Sequence, residues 1–105
     1  MSVSLFRYNA DRECLLCYPV SVEDVYIRIW SRAIEDEQIQ LFRECGGFTV
    51  EQVGEVLDEL QHIKDWCERN LDHDSEDYGY MIRRLDDLMQ VIPAEAKKSD
   101  EPFEL

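Results

Sequence analysis

Residues 75–93 read SEDYGYMIRRLDDLMQVIP, and the apolar spacing of this stretch decides the expected fold. Apolar side chains recur at intervals of three and four residues, which places them on one stripe of an α-helix. These side chains are Tyr78, Met81, Ile82, Leu85, Leu88, Met89 and Ile92. Ser75 is suited to cap the helix, and Glu76 and Asp77 suit a first turn whose backbone N–H groups are unpaired. Pro93 is predicted to end it.

A second helix is predicted to begin at Thr49, because Gln52 follows three residues later and completes a capping box. Its apolar positions again recur with a helical period. The predicted buried stripe consists of Val53, Val56, Leu57, Leu60, Ile63, Cys67 and Leu71. Acidic side chains project from the opposite side, and residues 70–75 link this helix to the next one.

Residues 21–45 are compatible with two structures. Val25, Ile27 and Ile29 alternate as in a strand, whereas the spacing from Val22 to Ala33 fits a helix equally well. A cap at Ser21 and the Gly46-Gly47 pair as a stop favour a central helix. In the first twenty residues, alternation over 3–8 fits a short strand, and Asn9 to Cys17 fits a short helix.

These patterns predict an all-α fold, a compact bundle of three to four helices, with the N-terminal segment either a short strand or a short helix. A chain of 105 residues suits one domain, which we place at 1–93. Residues 94–105 have few apolar side chains and a late proline, so we expect a mobile acidic tail. No apolar run reaches the ~18 residues of a membrane span, and no signal peptide is recognisable, which indicates a cytoplasmic protein.

Charge is the most informative part of the composition: 24 acidic residues stand against 11 Lys and Arg, a formal net charge of −13. This excess argues against direct binding of nucleic-acid phosphates, which requires clustered cations. Residues 49–75 hold eight acidic and two basic residues, a net of −6, whereas residues 1–20 net zero. Concentrated charge of one sign opposes folding by self-repulsion, and a basic partner would relieve it.

Catalytic and metal-binding patterns are weak. Cys14 and Cys17 have the C-x-x-C spacing of a zinc half-site or redox pair, which Cys45, Cys67 or a histidine would have to complete. The leucines between the first pair and the apolar stripes around the others favour buried cysteines instead. His62 and His73 have acidic neighbours, but there is no phosphate loop, nucleophile elbow or H-E-x-x-H. Residues 72–77 lack the central Gly and final Glu of an EF-hand. We therefore expect no enzyme, no cofactor and no small-molecule substrate.

The acidic segment 49–80, TVEQVGEVLDELQHIKDWCERNLDHDSEDYGY, covers under a third of the chain. A small acidic helical chain of this type resembles bacterial immunity proteins against secreted toxin domains, including the contact-dependent growth inhibition class. The resemblance implies a cationic toxin domain, often a nuclease, whose active cleft or a neighbouring surface is covered by an acidic helical face. The expected partner-binding residues are Glu55, Asp58, Glu59, Asp65, Trp66, Glu68, Asp72, Asp74, Tyr78 and Tyr80.

Two other functions are compatible with the same composition. A DNA mimic that inhibits a nucleic-acid-binding protein would carry its carboxylates in two rows at phosphate-like spacing along an elongated surface. A zinc-binding regulatory module would use Cys14 and Cys17.

Overall fold

The chain folds as α+β, which a computed structural model describes for residues 2–105. Four strands form one antiparallel sheet in the order β2-β1-β4-β3. The strands are β1 (Ser2–Tyr8), β2 (Cys14–Val22), β3 (Gly47–Phe48) and β4 (Phe103–Glu104). The predicted all-α bundle is therefore wrong, because the sheet joins both ends of the chain. Met1, the first residue of the predicted domain 1–93, lies outside the described residues.

Residues 9–17 do not form the short helix that their sequence allows. They belong to a hairpin made of β1 and β2. Val3 and Leu5 of β1 are buried, while alternate side chains lie on the other face of the sheet, as the period of a strand requires. Asn9, the first residue of that segment, is of a type that can cap a helix. Its side-chain oxygen instead accepts hydrogen bonds from the backbone N–H groups of Asp11 and Glu13, both at 2.9 Å. Such local bonds compete with helix formation, and here they stabilise the turn between β1 and β2.

Helix α1 comprises residues 23–36, so the helix predicted for 21–45 is confirmed only in part. Its turns are α-helical over Glu23–Val25, π-helical over Tyr26–Trp30 and α-helical over Ser31–Asp36. Ser21 does not cap it, because Ser21 lies buried at the end of β2. Residues 37–46 form a loop without regular structure.

The two C-terminal helices confirm the periodicity of the sequence. The predicted capping box of Thr49 and Gln52 is present. One 3-10 turn, Val50–Gln52, follows Thr49 and leads into helix α2 (Val53–Asn70). Helix α3 (Glu76–Ala96) begins at Ser75, whose hydroxyl oxygen accepts a hydrogen bond from the N–H of Tyr78 at 3.1 Å. Pro93 does not end α3, which continues for three more residues. Pro93 lacks an N–H donor and its ring crowds the carbonyl of Met89, but only three residues of α3 follow it, so little of the helix is disturbed.

Residues 94–105, predicted to be a mobile tail, pack into the domain. Phe103 of β4 is 1% exposed, and its ring stacks on that of Phe48 with centroids 4.7 Å apart. Arg7 of β1 is also 1% exposed and donates hydrogen bonds to the backbone carbonyls of Glu95, Ser99 and Glu101. The guanidinium lies 4.3 Å from the centre of the Phe103 ring. A segment of tail-like composition is thus held by one buried cation and one aromatic ring.

The core lies between the inner face of the sheet and the three helices. It contains side chains from every helix and strand, with Leu5, Val20, Trp30, Leu60 and Leu85 among those fully buried. Within residues 2–105, the helices are all too short or too polar to cross a lipid bilayer.

Candidate functional site

The outward side of α2 carries four carboxylates, those of Glu55, Asp58, Asp65 and Glu68, which we call the acidic face. Its members lie opposite the buried stripe that Val56, Leu60, Ile63 and Cys67 form on the same helix. Three of the four residues are exposed, and Asp65 is half-buried. Four of the carboxylates predicted to bind a partner therefore lie on the outward side of one helix.

Within residues 2–105, no Lys or Arg neutralises this charge through an ion pair. Among residues 2–105, every ion pair with Lys or Arg uses a carboxylate outside the acidic segment 49–75. The two cations of that segment pair away from it, Lys64 with Asp86 of α3 at 2.9 Å and Arg69 with Glu37 at 3.1 Å. The hydrogen bond that Lys64 donates to Asp86 raises the pKa of Lys64, so the lysine stays charged and committed to α3.

Glu59 has an internal role that its position in the sequence does not suggest. Its carboxylate accepts hydrogen bonds from the backbone N–H groups of Gln40, Leu41 and Phe42, the shortest at 2.9 Å. It thereby holds the loop 37–46 against α2. We remove Glu59 from the candidate site, because three backbone N–H groups of the loop occupy both of its oxygens.

Trp66 is likewise removed from the candidate site, because only 2% of its surface is exposed. Its indole Nε1–H donates to a carboxylate oxygen of Asp36 at 2.8 Å, and the guanidinium of Arg32 lies 5.6 Å from its ring centre. Trp66 is therefore part of the contact between α2 and α1. Its position at the edge of an apolar stripe is equally compatible with a contact to a partner, so the sequence alone could not separate the two roles.

The turn between α2 and α3 presents Asp72 and Asp74 to solvent. A side-chain oxygen of Asp72 accepts a hydrogen bond from the N–H of Asp74 at 3.0 Å, which orders the turn. His73 lies with its Nε2 2.8 Å from the carbonyl oxygen of Glu68, and its ring stacks on Tyr78 with centroids 4.3 Å apart. Both aspartates thus occupy defined positions at one end of the acidic face.

Tyr78 and Tyr80, both half-buried, line a groove of about 740 Å³ between α3 and the start of α1. We call it the tyrosine groove. Its other lining residues are Val22, Val25, Glu76, Asp77, Gly79, Ile82 and Arg83. The hydroxyl oxygen of Tyr80 accepts a hydrogen bond from the N–H of Val22 at 3.0 Å. The groove was not predicted, because Val22 was placed in the helix of residues 21–45, whereas it ends β2 and is 48% exposed.

A salt bridge borders the tyrosine groove. Arg28 of α1 lies 3.1 Å from one oxygen of Asp77 and also contacts Asp24 at 2.9 Å. The hydrogen bonds from Arg28 hold the pKa of Asp77 below its usual value. Asp77 is therefore ionised at neutral pH and helps to fix α3 beside α1.

The cysteines do not follow their predicted burial. Only Cys67 is buried, where desolvation raises the pKa of its thiol to about 12. Cys14, Cys17 and Cys45 are exposed, so the prediction of buried positions is wrong for these three. Among residues 2–105, no group of three or more His, Cys, Asp or Glu side chains is arranged to hold a metal ion.

Comparison of the chain with protein-family models, with curated proteins and with solved structures gave no significant match. Any statement about function therefore depends on the charge, exposure and contacts of the site itself.

Proposed function

We propose that this chain is a cytoplasmic immunity protein that binds a basic toxin domain through the acidic face and the turn 71–75. The observation that carries the proposal is the separation of charge within 49–75. All eight carboxylates of that segment are without an ion pair to Lys or Arg among the described residues, while both of its cations are paired elsewhere.

A rigid helix makes such charge effective. Helix α2 has 18 residues and is therefore about 27 Å long. Carboxylates fixed along this length produce a negative potential that concentrates a cationic partner near the surface. Complementary charge of this kind raises association rate constants from roughly 10⁵–10⁶ towards 10⁸–10⁹ M⁻¹s⁻¹ at low salt. Rapid capture is what a cell needs against a toxin that acts at low concentration.

The proposed mechanism is occlusion of a basic surface. A nuclease binds its substrate through cationic side chains that contact phosphates. The carboxylates of the acidic face would occupy those side chains in place of phosphates, with Asp72 and Asp74 extending the contact beyond the end of α2. Inhibition then requires no chemistry from the chain, only tight and rapid association with the cleft or a surface beside it.

The arrangement of charge favours this function over DNA mimicry. A mimic of duplex DNA needs two rows of negative charge, and α2 supplies one. The exposed positions of α3 that face outward have mixed chemistry, with Glu76, Arg83, Asp87 and Gln90 following one another along the helix. A second acidic row is therefore absent from the helix beside α2.

Two variants of equal net charge test the proposal. The face variant carries Glu55→Gln, Asp58→Asn, Asp65→Asn and Glu68→Gln. The control variant carries Asp11→Asn, Glu35→Gln, Asp87→Asn and Asp100→Asn, four exposed carboxylates elsewhere. The partner is the protein encoded by the reading frame beside this one, purified as a toxin domain.

We expect calorimetry to show tight binding by the wild-type chain and by the control variant, with the face variant weaker by about 100-fold because central charges dominate such interfaces. The toxin domain should lose its activity when the wild-type chain binds. Equal affinities for the two variants, or no binding by the wild-type chain, would contradict the proposal.

A further inference from the structure

We propose that the tyrosine groove receives an aromatic side chain carried on a basic segment of the partner. This inference rests on the proposed function, and it adds the chemistry of the contact that anchors the complex. The acidic face attracts any cationic protein, so it supplies rate more than selectivity. A pocket that accepts one apolar side chain would supply the selectivity.

The walls of the groove suit an aromatic ring. Val22, Val25 and Ile82 provide aliphatic contacts, and Tyr78 and Tyr80 provide ring faces and edges. A volume of about 740 Å³ lies within the ~300–1,000 Å³ range of ligand-binding clefts. Aromatic residues seated in such clefts are the most frequent hot spots of protein interfaces.

Three exposed carboxylates, Glu76 of the lining and Asp72 and Asp74 of the neighbouring turn, outnumber the one exposed lining cation, Arg83. The charge around the groove therefore favours an aromatic residue with basic neighbours. The Glu76 side chain is exposed at the rim and makes no hydrogen bond or ion pair with residues 2–105. The stacking of His73 on Tyr78 places the turn with Asp72 and Asp74 beside the same wall. These carboxylates would face lysines or arginines that flank the inserted ring, and they make the groove continuous with the acidic end of α2.

The groove is held open by contacts that need no partner. The bond from the N–H of Val22 to Tyr80 fixes one wall, and the pair between Arg28 and Asp77 fixes α3 beside α1. The ring of Tyr78 is supported from behind by His73. A site that is formed before binding avoids part of the cost of ordering its side chains.

Gly79 provides a test that leaves the fold intact. It lines the groove within α3, and a Cβ atom placed there would meet nothing within 4 Å. Gly79→Trp would place a bulky ring at the lining of the groove, where it obstructs the approach of an inserted side chain. Gly79→Ala is the matched control, because it changes the same backbone position and adds only a methyl group. Alanine also favours the helix over glycine.

The probes are two blocked pentapeptides, KKWKK and KKAKK, which differ only in the central residue. Their binding is followed by amide NMR shifts at 150 mM salt with the wild-type chain and both Gly79 variants. We expect KKWKK to bind the wild-type chain and Gly79→Ala about five to ten times more tightly than KKAKK, as for one inserted aromatic side chain. Amides of residues 22, 25 and 78–82 should shift with KKWKK only, and Gly79→Trp should lose the difference.

The outcomes separate the two proposals. Equal binding of both peptides, with shifts confined to residues 55–74, would overturn the groove and leave the acidic face as the binding surface. A preference for KKWKK without shifts at residues 22, 25 and 78–82 would also overturn the groove. No shift at either surface with either peptide would count against both proposals. Thermal unfolding of each variant confirms that it is folded.

Discussion

Arg7 and the acidic face of α2 are two charged regions that the fold treats in opposite ways. Arg7 is a single buried cation whose guanidinium donates to three backbone carbonyls and covers an aromatic ring. The acidic face holds four carboxylates without a cationic partner among residues 2–105. Charge at the first region stabilises the fold, and charge at the second is, in our proposal, available to a basic partner. Stability and recognition should therefore respond to different substitutions.

The largest effect is expected at Arg7. Arg7→Met removes the donors from the half-buried carbonyl groups of Glu95, Ser99 and Glu101, so the free energy of unfolding should fall by about 3–5 kcal/mol. Urea unfolding measures the change. Arg12→Met is the control on the same hairpin. The Arg12 side chain is 70% exposed, and its ion pair with Glu104, at 3.4 Å, is on the surface. Its loss should stay below about 0.5 kcal/mol. Similar losses for both variants would show that Arg7 does not hold the C-terminal segment.

The next effect separates two glutamates on the same helix. Glu59→Gln weakens the bonds from the N–H groups of Gln40, Leu41 and Phe42, because an amide oxygen is a weaker acceptor than a carboxylate. We expect a loss of about 1.5–3 kcal/mol. Glu55→Gln on the acidic face should change the free energy of unfolding by less than about 0.5 kcal/mol. A larger loss at position 55 than at position 59 would reverse our assignment of the two roles.

A smaller effect, of opposite sign, is expected at Gly54. This glycine is exposed on the side of α2 that carries the acidic face, and a Cβ atom there would meet nothing within 4 Å. Gly54→Ala should raise the free energy of unfolding by about 0.5–1 kcal/mol through helix propensity. Gly47→Ala should lower it instead, because the new Cβ would lie 2.7 Å from the carbonyl oxygen of Phe103. Thermal unfolding of the two variants measures both changes. A loss of stability in Gly54→Ala would show that this side of α2 has no free space.

The smallest effect concerns the repulsion within the acidic face. The double variant Asp58→Asn, Glu68→Gln should unfold with a free energy higher than wild type by a few tenths of a kcal/mol at low salt. At 1 M NaCl the gain should disappear, because ions screen exposed charges. A double variant that is less stable than wild type at low salt would mean that these carboxylates support the fold.

Local patterns predicted helices α2 and α3 and their caps, because periodicity and the pairs Thr49 with Gln52 and Ser75 with Tyr78 act within a few residues. The sheet was not predicted, because its two-residue strands β3 and β4 have no periodicity of their own. They form because the two ends of the chain meet, and Arg7 bonds to carbonyls 88 to 94 positions away. No pattern within a short window reports such contacts.

The candidate site shows the same limit. The acidic face follows from helical spacing, so it was predictable. The internal roles of Glu59 and Trp66 depend on the loop at 40–42 and on Asp36, which is 30 positions from Trp66. The tyrosine groove depends on the approach of β2 and α1 to α3, and a sequence interpreted as all-helical places these residues differently.

Ionic strength tests the central claim most directly, through the rate constant for association with the basic partner. Between 20 and 300 mM NaCl the rate for the wild-type chain should fall by about tenfold or more, because the acidic face steers the encounter. The control variant should fall as steeply, and the face variant should change by less than about threefold. Equal salt dependence of the face and control variants would show that the net charge of −13 acts without a dedicated face, and would contradict the account.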